Sequence, residues 1–296
     1  RRLTDSLPAS SAEVLNDMYP GAEYRRLSVN GIEMNVLLAG EGEPVLLVHG
    51  FPDDHSVWRE QVPALVAAGY RVIAPDTRGC GDSGIPGRVA DYRVGMLVDD
   101  LRVLLDALDI ARVRLVAHDW GAVIGWRFVL AHPERVDRYV ALSVGHPTAY
   151  ARGGLVQKLK GYYVLLMQLR GVIEWLATRG DWFLFRQLTR YAAEFPRWRD
   201  RLSRPGRLTA GMNYYRANLG ALIAGELPSA RVPVFGVWSS GDLFLVEGQM
   251  IASERYVRGP WRYACIEGAN HWLQLDAPRR FNPLLLEYLG LPLASA

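Results

Sequence analysis

Asp119 has the setting most suited to chemistry. The run Val116-Ala117-His118-Asp119-Trp120-Gly121-Ala122 lies between an apolar, strand-like segment and a helical one. It fits the small-x-nucleophile-x-Gly pattern of a sharp strand-to-helix turn, with Ala117 and Gly121 as the small residues. Such a turn lifts its central side chain above a sheet at a helix N-terminus, where backbone N–H groups favour negative charge. A carboxylate there is ionised at neutral pH and needs no base to become a nucleophile. It is poor against amides but can displace a leaving group from an sp³ carbon, which points to epoxides or alkyl halides. The competing account is a helix cap, and for a lone strand–Asp–helix junction that account is the simpler.

An ester on Asp119 must be hydrolysed, which takes a general base and an acid to orient it. His271, in Glu267-Gly268-Ala269-Asn270-His271-Trp272, follows the last strand-like segment. Asp242, in Trp238-Ser239-Ser240-Gly241-Asp242, follows the one before it. Each alone reads as a turn or packing residue. With Asp119 they stand at three strand ends in the order nucleophile, acid, histidine, which is the order of α/β-hydrolases. His271 would activate water, and Asp242 would hold its tautomer and stabilise the imidazolium. His49-Gly50-Phe51-Pro52 follows another buried run, so the backbone N–H groups of Phe51 and Trp120 are placed to meet an oxyanion. The Gly-rich stretch from Asp76 to Gly84 lacks the Lys and Ser/Thr ending of a phosphate loop. It reads as structural, with Arg78 and Asp82 bracing the site and Cys80 outside the chemistry.

The elements that must position these residues alternate. Tyr24–Val29 and Glu33–Leu38 read as a hairpin around Asn30-Gly31. Strands are expected at Pro44–Val48, Arg71–Ala74, Val113–Ala117 and Tyr139–Val144. Helices are expected at Val57–Ala68, where Pro63 must start or kink the helix, at Val94–Leu108 and at Gly121–Leu130. This rhythm indicates an α/β class with a mostly parallel sheet wrapped by helices. It breaks from about His146 to Leu227, where no strand is evident and Tyr, Trp, Leu and Arg recur at helical spacing. Strands resume at Val232–Trp238 and Arg262–Ile266, and a last helix covers Arg279–Leu289. The expected division is a core of residues 1–145 and 230–296 interrupted by a helical cap, residues 146–229, over the ends of the sheet.

Taken together, His49-Gly50-Phe51-Pro52, Arg78-Gly79-Cys80-Gly81-Asp82-Ser83, His118-Asp119-Trp120-Gly121-Ala122, Asp242 and His271 resemble soluble epoxide hydrolases over nearly the whole chain. The resemblance implies the α/β-hydrolase fold, an eight-stranded, mostly parallel sheet with helices on both faces and an α-helical cap. It also implies conversion of an epoxide to a vicinal diol, with two cap tyrosines donating to the epoxide oxygen. Tyr162-Tyr163-Val164-Leu165-Leu166-Met167-Gln168 resembles one tyrosine segment and points to Tyr163. Gly211-Met212-Asn213-Tyr214-Tyr215-Arg216 resembles the other and points to Tyr215. Tyr162 and Tyr214 are adjacent alternatives, expected to pack. Haloalkane dehalogenases share the His-Asp-Trp-Gly segment, and Trp120 stands where a halide donor would. Their second donor, often an asparagine after His-Gly, is Phe51 here. Fluoroacetate-type dehalogenases usually carry arginine after the nucleophile, where this chain has Trp120. A hydrolase-fold ligand sensor without turnover is the third reading; the complete triad speaks against it.

Whole-chain properties narrow the partners. The chain has 296 residues, net charge +3 and 22% charged residues, too mild a basic balance to indicate nucleic acid. Lys158 and Lys160 are its only lysines; the arginine bias fits a GC-rich, bacterial genome. Cys80 and Cys265 make no disulfide framework, and no apolar run reaches membrane-span length. No signal region follows Arg1-Arg2-Leu3-Thr4-Asp5, so a cytoplasmic protein is expected. The arginines from Arg197 through Arg199, Arg201, Arg204 and Arg207 read as a solvated face. Trp175, Trp182 and Phe183 are expected to line the pocket or the cap–core interface. The expected partners are a small hydrophobic epoxide and water, with no metal, organic cofactor, membrane or nucleic acid; a homodimer is compatible with the sequence.

Overall fold

The computed structural model describes residues 21–223 and 226–290. The opening residues, where no signal region is expected, lie outside them. The first hairpin forms because Asn30 and Gly31 both take positive φ, 47° and 80°, as a two-residue primed turn requires. It pairs β1 (Glu23–Val29) with β2 (Ile32–Ala39) in antiparallel register, Val29 opposite Ile32. The other strands are β3 (Glu43–Val48), β4 (Tyr70–Pro75), β5 (Val113–His118), β6 (Val136–Leu142), β7 (Val234–Ser239) and β8 (Trp261–Ile266). They form one eight-stranded sheet in the order β1-β2-β4-β3-β5-β6-β7-β8. The pairings from β4 through β8 are parallel, and β2 joins β4 antiparallel. Val45–Val48 and Leu115–Ala117 are wholly buried. Covering on both faces is why these strands read as continuous apolar runs rather than alternating ones.

Two boundaries differ from the sequence expectation for physical reasons. The helix expected over Val57–Ala68 divides into a 3₁₀ turn, His55–Trp58, and α1 (Gln61–Ala67). Pro63 lies in the first turn of α1, where its missing N–H has no intrahelical partner to lose. Strand β6 starts three residues earlier than expected, because Arg138 is a buried charge in mid-strand. Its guanidinium donates to the Tyr288 carbonyl at 2.6 Å and lies over the Tyr288 ring.

Helices α2 (Val94–Ala107) and α3 (Trp120–Ala131) follow β4 and β5. Between β6 and β7 the described residues are helical or irregular. They form α4 (Pro147–Ala151), α5 (Gly154–Lys160), α6 (Tyr163–Leu166), α7 (Val172–Thr189, kinked at Arg179–Trp182), α8 (Phe195–Leu202) and α9 (Arg207–Ile223). A final helix, α12, spans Pro278–Gly290, after the short α10 (Glu247–Ile251) and α11 (Leu273–Asp276).

The arginine run is not a solvated face throughout. Arg201 pairs with the buried Asp54, Arg204 with Asp82, and Arg207 donates to the Cys80 carbonyl at 3.2 Å. Carboxylates and carbonyls of the core loops complete a charged seam that one strand of sequence cannot reveal; only Arg197 and Arg199 stay exposed. Arg78 and Asp82 brace the scaffold rather than the site. Arg78 pairs with Asp100 of α2 at 2.6 Å, and Asp82 with Arg204 at 2.6 Å. Trp182 is buried as expected, but Trp175 and Phe183 are 53% and 63% exposed and lie outside the pocket.

Candidate active site

All the chemistry-bearing loops leave the carboxyl edge of the parallel strands, where open α/β sheets place their sites. Strand β5 delivers Asp119 at φ 53°, ψ −123°, a conformation rare for a non-glycine residue and held by its surroundings. Two glycines permit it. A Cβ on Gly121 would stand 2.1 Å from the Val48 carbonyl oxygen, and one on Gly50 would stand 2.3 Å from Asp119 Oδ1. Asp119 occupies the N-cap position of α3, yet its side chain makes no capping bond. Oδ1 instead accepts from the Phe51 amide at 2.8 Å, and the Trp120 amide beside the carboxylate favours its charged form.

Asp119 Oδ2 lies 3.5 Å from His271 Nε2, and His271 Nδ1 lies 2.8 Å from Asp242 Oδ2. The other Asp242 oxygen accepts the amides of Phe244 and Leu245 at 2.8 and 2.9 Å. The His271 carbonyl accepts from His118 Nε2 at 2.9 Å and Ser143 Oγ at 3.2 Å, so the histidine is fixed at both ends. Burial pulls the His271 imidazole down, but Asp242 and then Asp119 outweigh it and raise its pKa to about 10. Burial pushes Asp119 up, and the hydrogen bond and charge of His271 more than reverse this, so it stays ionised. Burial, aided by the charge of His271, lowers His118 to about 3.

The space before Asp119 has two largely apolar lobes of about 690 and 470 Å³, counted with the space open to solvent. Asp119, Tyr163 and Tyr215 line both lobes and so stand where they meet. The neighbouring tyrosines diverge in the structure. Tyr162 is 54% exposed rather than packed. Tyr214 turns away, donating to the Arg78 carbonyl at 2.7 Å. The Tyr163 and Tyr215 rings meet edge to face at 5.9 Å, and Trp120 contacts Tyr215 at 5.1 Å. Burial holds both phenols well above their ordinary pKa, and the Asp119 charge adds to this.

The family model for the alpha/beta hydrolase fold matches residues 43–278. The chain belongs to the α/β-hydrolase family. Epoxide hydrolase A of Mycobacterium tuberculosis is 33% identical to this α/β-hydrolase, covering 92% of this chain and 99% of its own. Epoxide hydrolase 3 of Xenopus tropicalis is 32% identical over 90% of this chain and 77% of its own. The crystal structure of an epoxide hydrolase from Vigna radiata matches with a TM-score of 0.80 at 31% identity, covering 90% of this chain and 98% of that one.

Several residues of this hydrolase's site carried no clear sequence signal. Asp53, next to the Phe51-Pro52 turn, is buried and accepts two indole N–H groups, from Trp198 of α8 at 2.8 Å and Trp272 at 2.9 Å. Burial, against those two bonds, raises its pKa to about 8. It joins the inserted helices to the loop bearing His271. Lys160 of α5 donates to the Asp242 carbonyl at 2.7 Å. Tyr150 and Arg127 line the larger lobe. Among the described residues one group has metal-like spacing, Asp54, His55 and Asp76. There His55 bonds Asp76 at 2.7 Å, Asp76 also accepts from Asn35 and the Asp82 amide, and Arg201 pairs with Asp54, which marks a structural network. Among the described residues no helix is long and apolar enough to cross a membrane.

Proposed function

We propose that this protein hydrolyses epoxides to vicinal diols through an ester on Asp119. The observation that carries the reading is the meeting of the Asp119 carboxylate and two phenols, Tyr163 and Tyr215, at the junction of two apolar lobes. A nucleophile for carbon thus faces a pair of donors for the leaving oxygen. The relatives named epoxide hydrolase support the same reading. Residues 146–229 act as the cap, whose described helices contribute both phenols, and residues 1–145 and 230–296 act as the core that contributes the triad.

In the first step Asp119 Oδ2 attacks an epoxide carbon, and the C–O bond breaks toward the tyrosines, which donate to the oxygen as it becomes an alkoxide. One phenol gives up its proton and is restored by the proton that His271 releases once Asp119 has lost its charge. In the second step neutral His271, oriented by Asp242, takes a proton from water, and the hydroxide attacks the Asp119 carbonyl carbon. The oxyanion forms on Oδ1, beside the Phe51 and Trp120 amides. Collapse expels the diol alkoxide, which takes the remaining hydroxyl proton, and the Asp119 carboxylate and His271 imidazolium return. No metal or organic cofactor enters either step.

A panel of styrene oxide, an aliphatic epoxide and a bromoalkane tests the class. Diol from the epoxides is the expected result. Halide release without diol would establish the haloalkane dehalogenase reading instead, and binding of small apolar ligands without turnover of any of them would establish a ligand sensor.

A further inference from the structure

The larger lobe runs along two helix faces. Trp120, Val123 and Arg127 of α3 line one side, and Tyr215, Asn218 and Ala221 of α9 line another. Spacings of three and four residues keep each set on one face. At 1.5 Å per residue the lobe extends roughly 10 Å from the reactive end to Arg127 and Ala221. Its lining holds two charged side chains, Asp119 at one end and Arg127 at the other, with mostly apolar residues between.

Arg127 is more sparsely partnered than most of the partly buried arginines; Arg207, which also lacks a carboxylate, has the Cys80 and Ser83 carbonyls. Arg78, Arg216 and Arg59 each have a carboxylate partner. Among the described residues Arg127 has none, and its one hydrogen bond is a 3.5 Å contact to the Ala221 carbonyl. The neighbouring residues 222–225 are Leu, Ile, Ala and Gly, so they add no carboxylate. Burial alone lowers its pKa, with no opposing negative charge. The adjacent His146 is held neutral, burial lowering it to about 4. Beyond Trp120 and the two phenols at the reactive end, the polar lining groups are Tyr150 and Asn218, and Asn218 is spent on the Val94 amide and the Tyr92 and Tyr214 carbonyls. A partly desolvated guanidinium without a counter-ion is costly, and a bound anion in its fork would relieve that cost.

We infer that Arg127 is an anion subsite, the residue by which this chain selects, among epoxides with an apolar arm, those whose arm ends in a carboxylate. The carboxylate would take the Arg127 fork at the outer end of the lobe while the ring lies between Asp119 and the two phenols. The substrate class rests on the epoxide-hydrolase reading; the subsite itself does not.

Matched terminal epoxides with arms of equal length, ending in a carboxylate, a primary amide or an ammonium, supply the kinetic test. The wild type should favour the carboxylate over the amide by about 10- to 100-fold in kcat/KM, mainly through KM, as one charge-assisted contact suggests. Arg127→Met should bring that ratio near one, and Arg127→Glu should turn the preference to the ammonium. Equal kcat/KM for carboxylate and amide, or an unchanged ratio in Arg127→Met, overturns the subsite. Calorimetric binding of octanoate and octanamide separates the two readings, since neither needs an epoxide. An Arg127-dependent preference for octanoate without turnover of any epoxide upholds the subsite and removes the epoxide reading. Epoxide turnover with equal binding of the two ligands does the reverse.

Discussion

Replacing Asp119 by asparagine isolates the event that turns His271 into a base. At rest His271 lies between two carboxylates, 2.8 Å from Asp242 and 3.5 Å from Asp119, and its pKa of about 10 keeps it an imidazolium at neutral pH. An imidazolium cannot take a proton from water. Ester formation removes the Asp119 charge. For unit charges at the separation of that pair, an effective dielectric near 20 gives about 5 kcal/mol, or roughly 3 pH units after some solvent screening. Asp119→Asn reproduces the loss: its oxygen keeps the Phe51 amide and an uncharged amide faces His271. The His271 ring in the variant should therefore titrate at about 7, where a general base works best. Ring-nitrogen NMR of His271 against pH, in wild type and variant, reads this directly. Coincident titrations in the two proteins would refute the charge switch. Stability should follow the same group. Because its folded pKa exceeds the unfolded 6.5, His271 stabilises fully below that pH, and the benefit is lost as pH rises through about 10. The variant should lose less over that interval.

Other expected outcomes follow from individual contacts. Tyr163→Phe and Tyr215→Phe should each slow ester formation by about 100-fold or more, the usual loss for one transition-state donor, seen as the pre-steady-state alkylation rate. Gly50→Ala places a Cβ 2.3 Å from Asp119 Oδ1, so ester formation should fall at least as far while near-UV circular dichroism stays native. Asp53 has a folded pKa of about 8 against the ordinary 3.8, so the folded state holds a proton the unfolded state has lost. Melting temperature should therefore decline as pH rises from about 4 to 8 and level off above, and Asp53→Asn should flatten that slope. Burial raises the Cys80 thiol to about 12, and iodoacetamide should leave it unmodified at neutral pH while the protein is folded.

The parallel sheet was legible because strands buried on both faces read as unbroken apolar runs, and the candidate triad because its three residues follow three strand-like segments in a diagnostic order. The boundary at β6 was hidden by Arg138, a charge that only its carbonyl and ring partners make compatible with burial. The helical insertion showed in the loss of strand rhythm, but its docking did not. Arg201 and Arg204 look solvated until Asp54 and Asp82 arrive from the core. Helical spacing likewise could not say which of Tyr162 and Tyr163 turns inward, since neighbours on a short helix differ by about 100° in direction. Asp53 was silent for a related reason. Its donors, Trp198 and Trp272, are 145 and 219 residues away.

Single turnover of an epoxide in heavy-oxygen water bears most directly on the covalent ester at Asp119. With enzyme in excess, mass spectrometry of the peptide containing Asp119 should show the label in its carboxylate, because water attacks the Asp119 carbonyl carbon and the diol takes its new oxygen from the protein. Label in the diol of that first turnover, with none in Asp119, would contradict the ester mechanism.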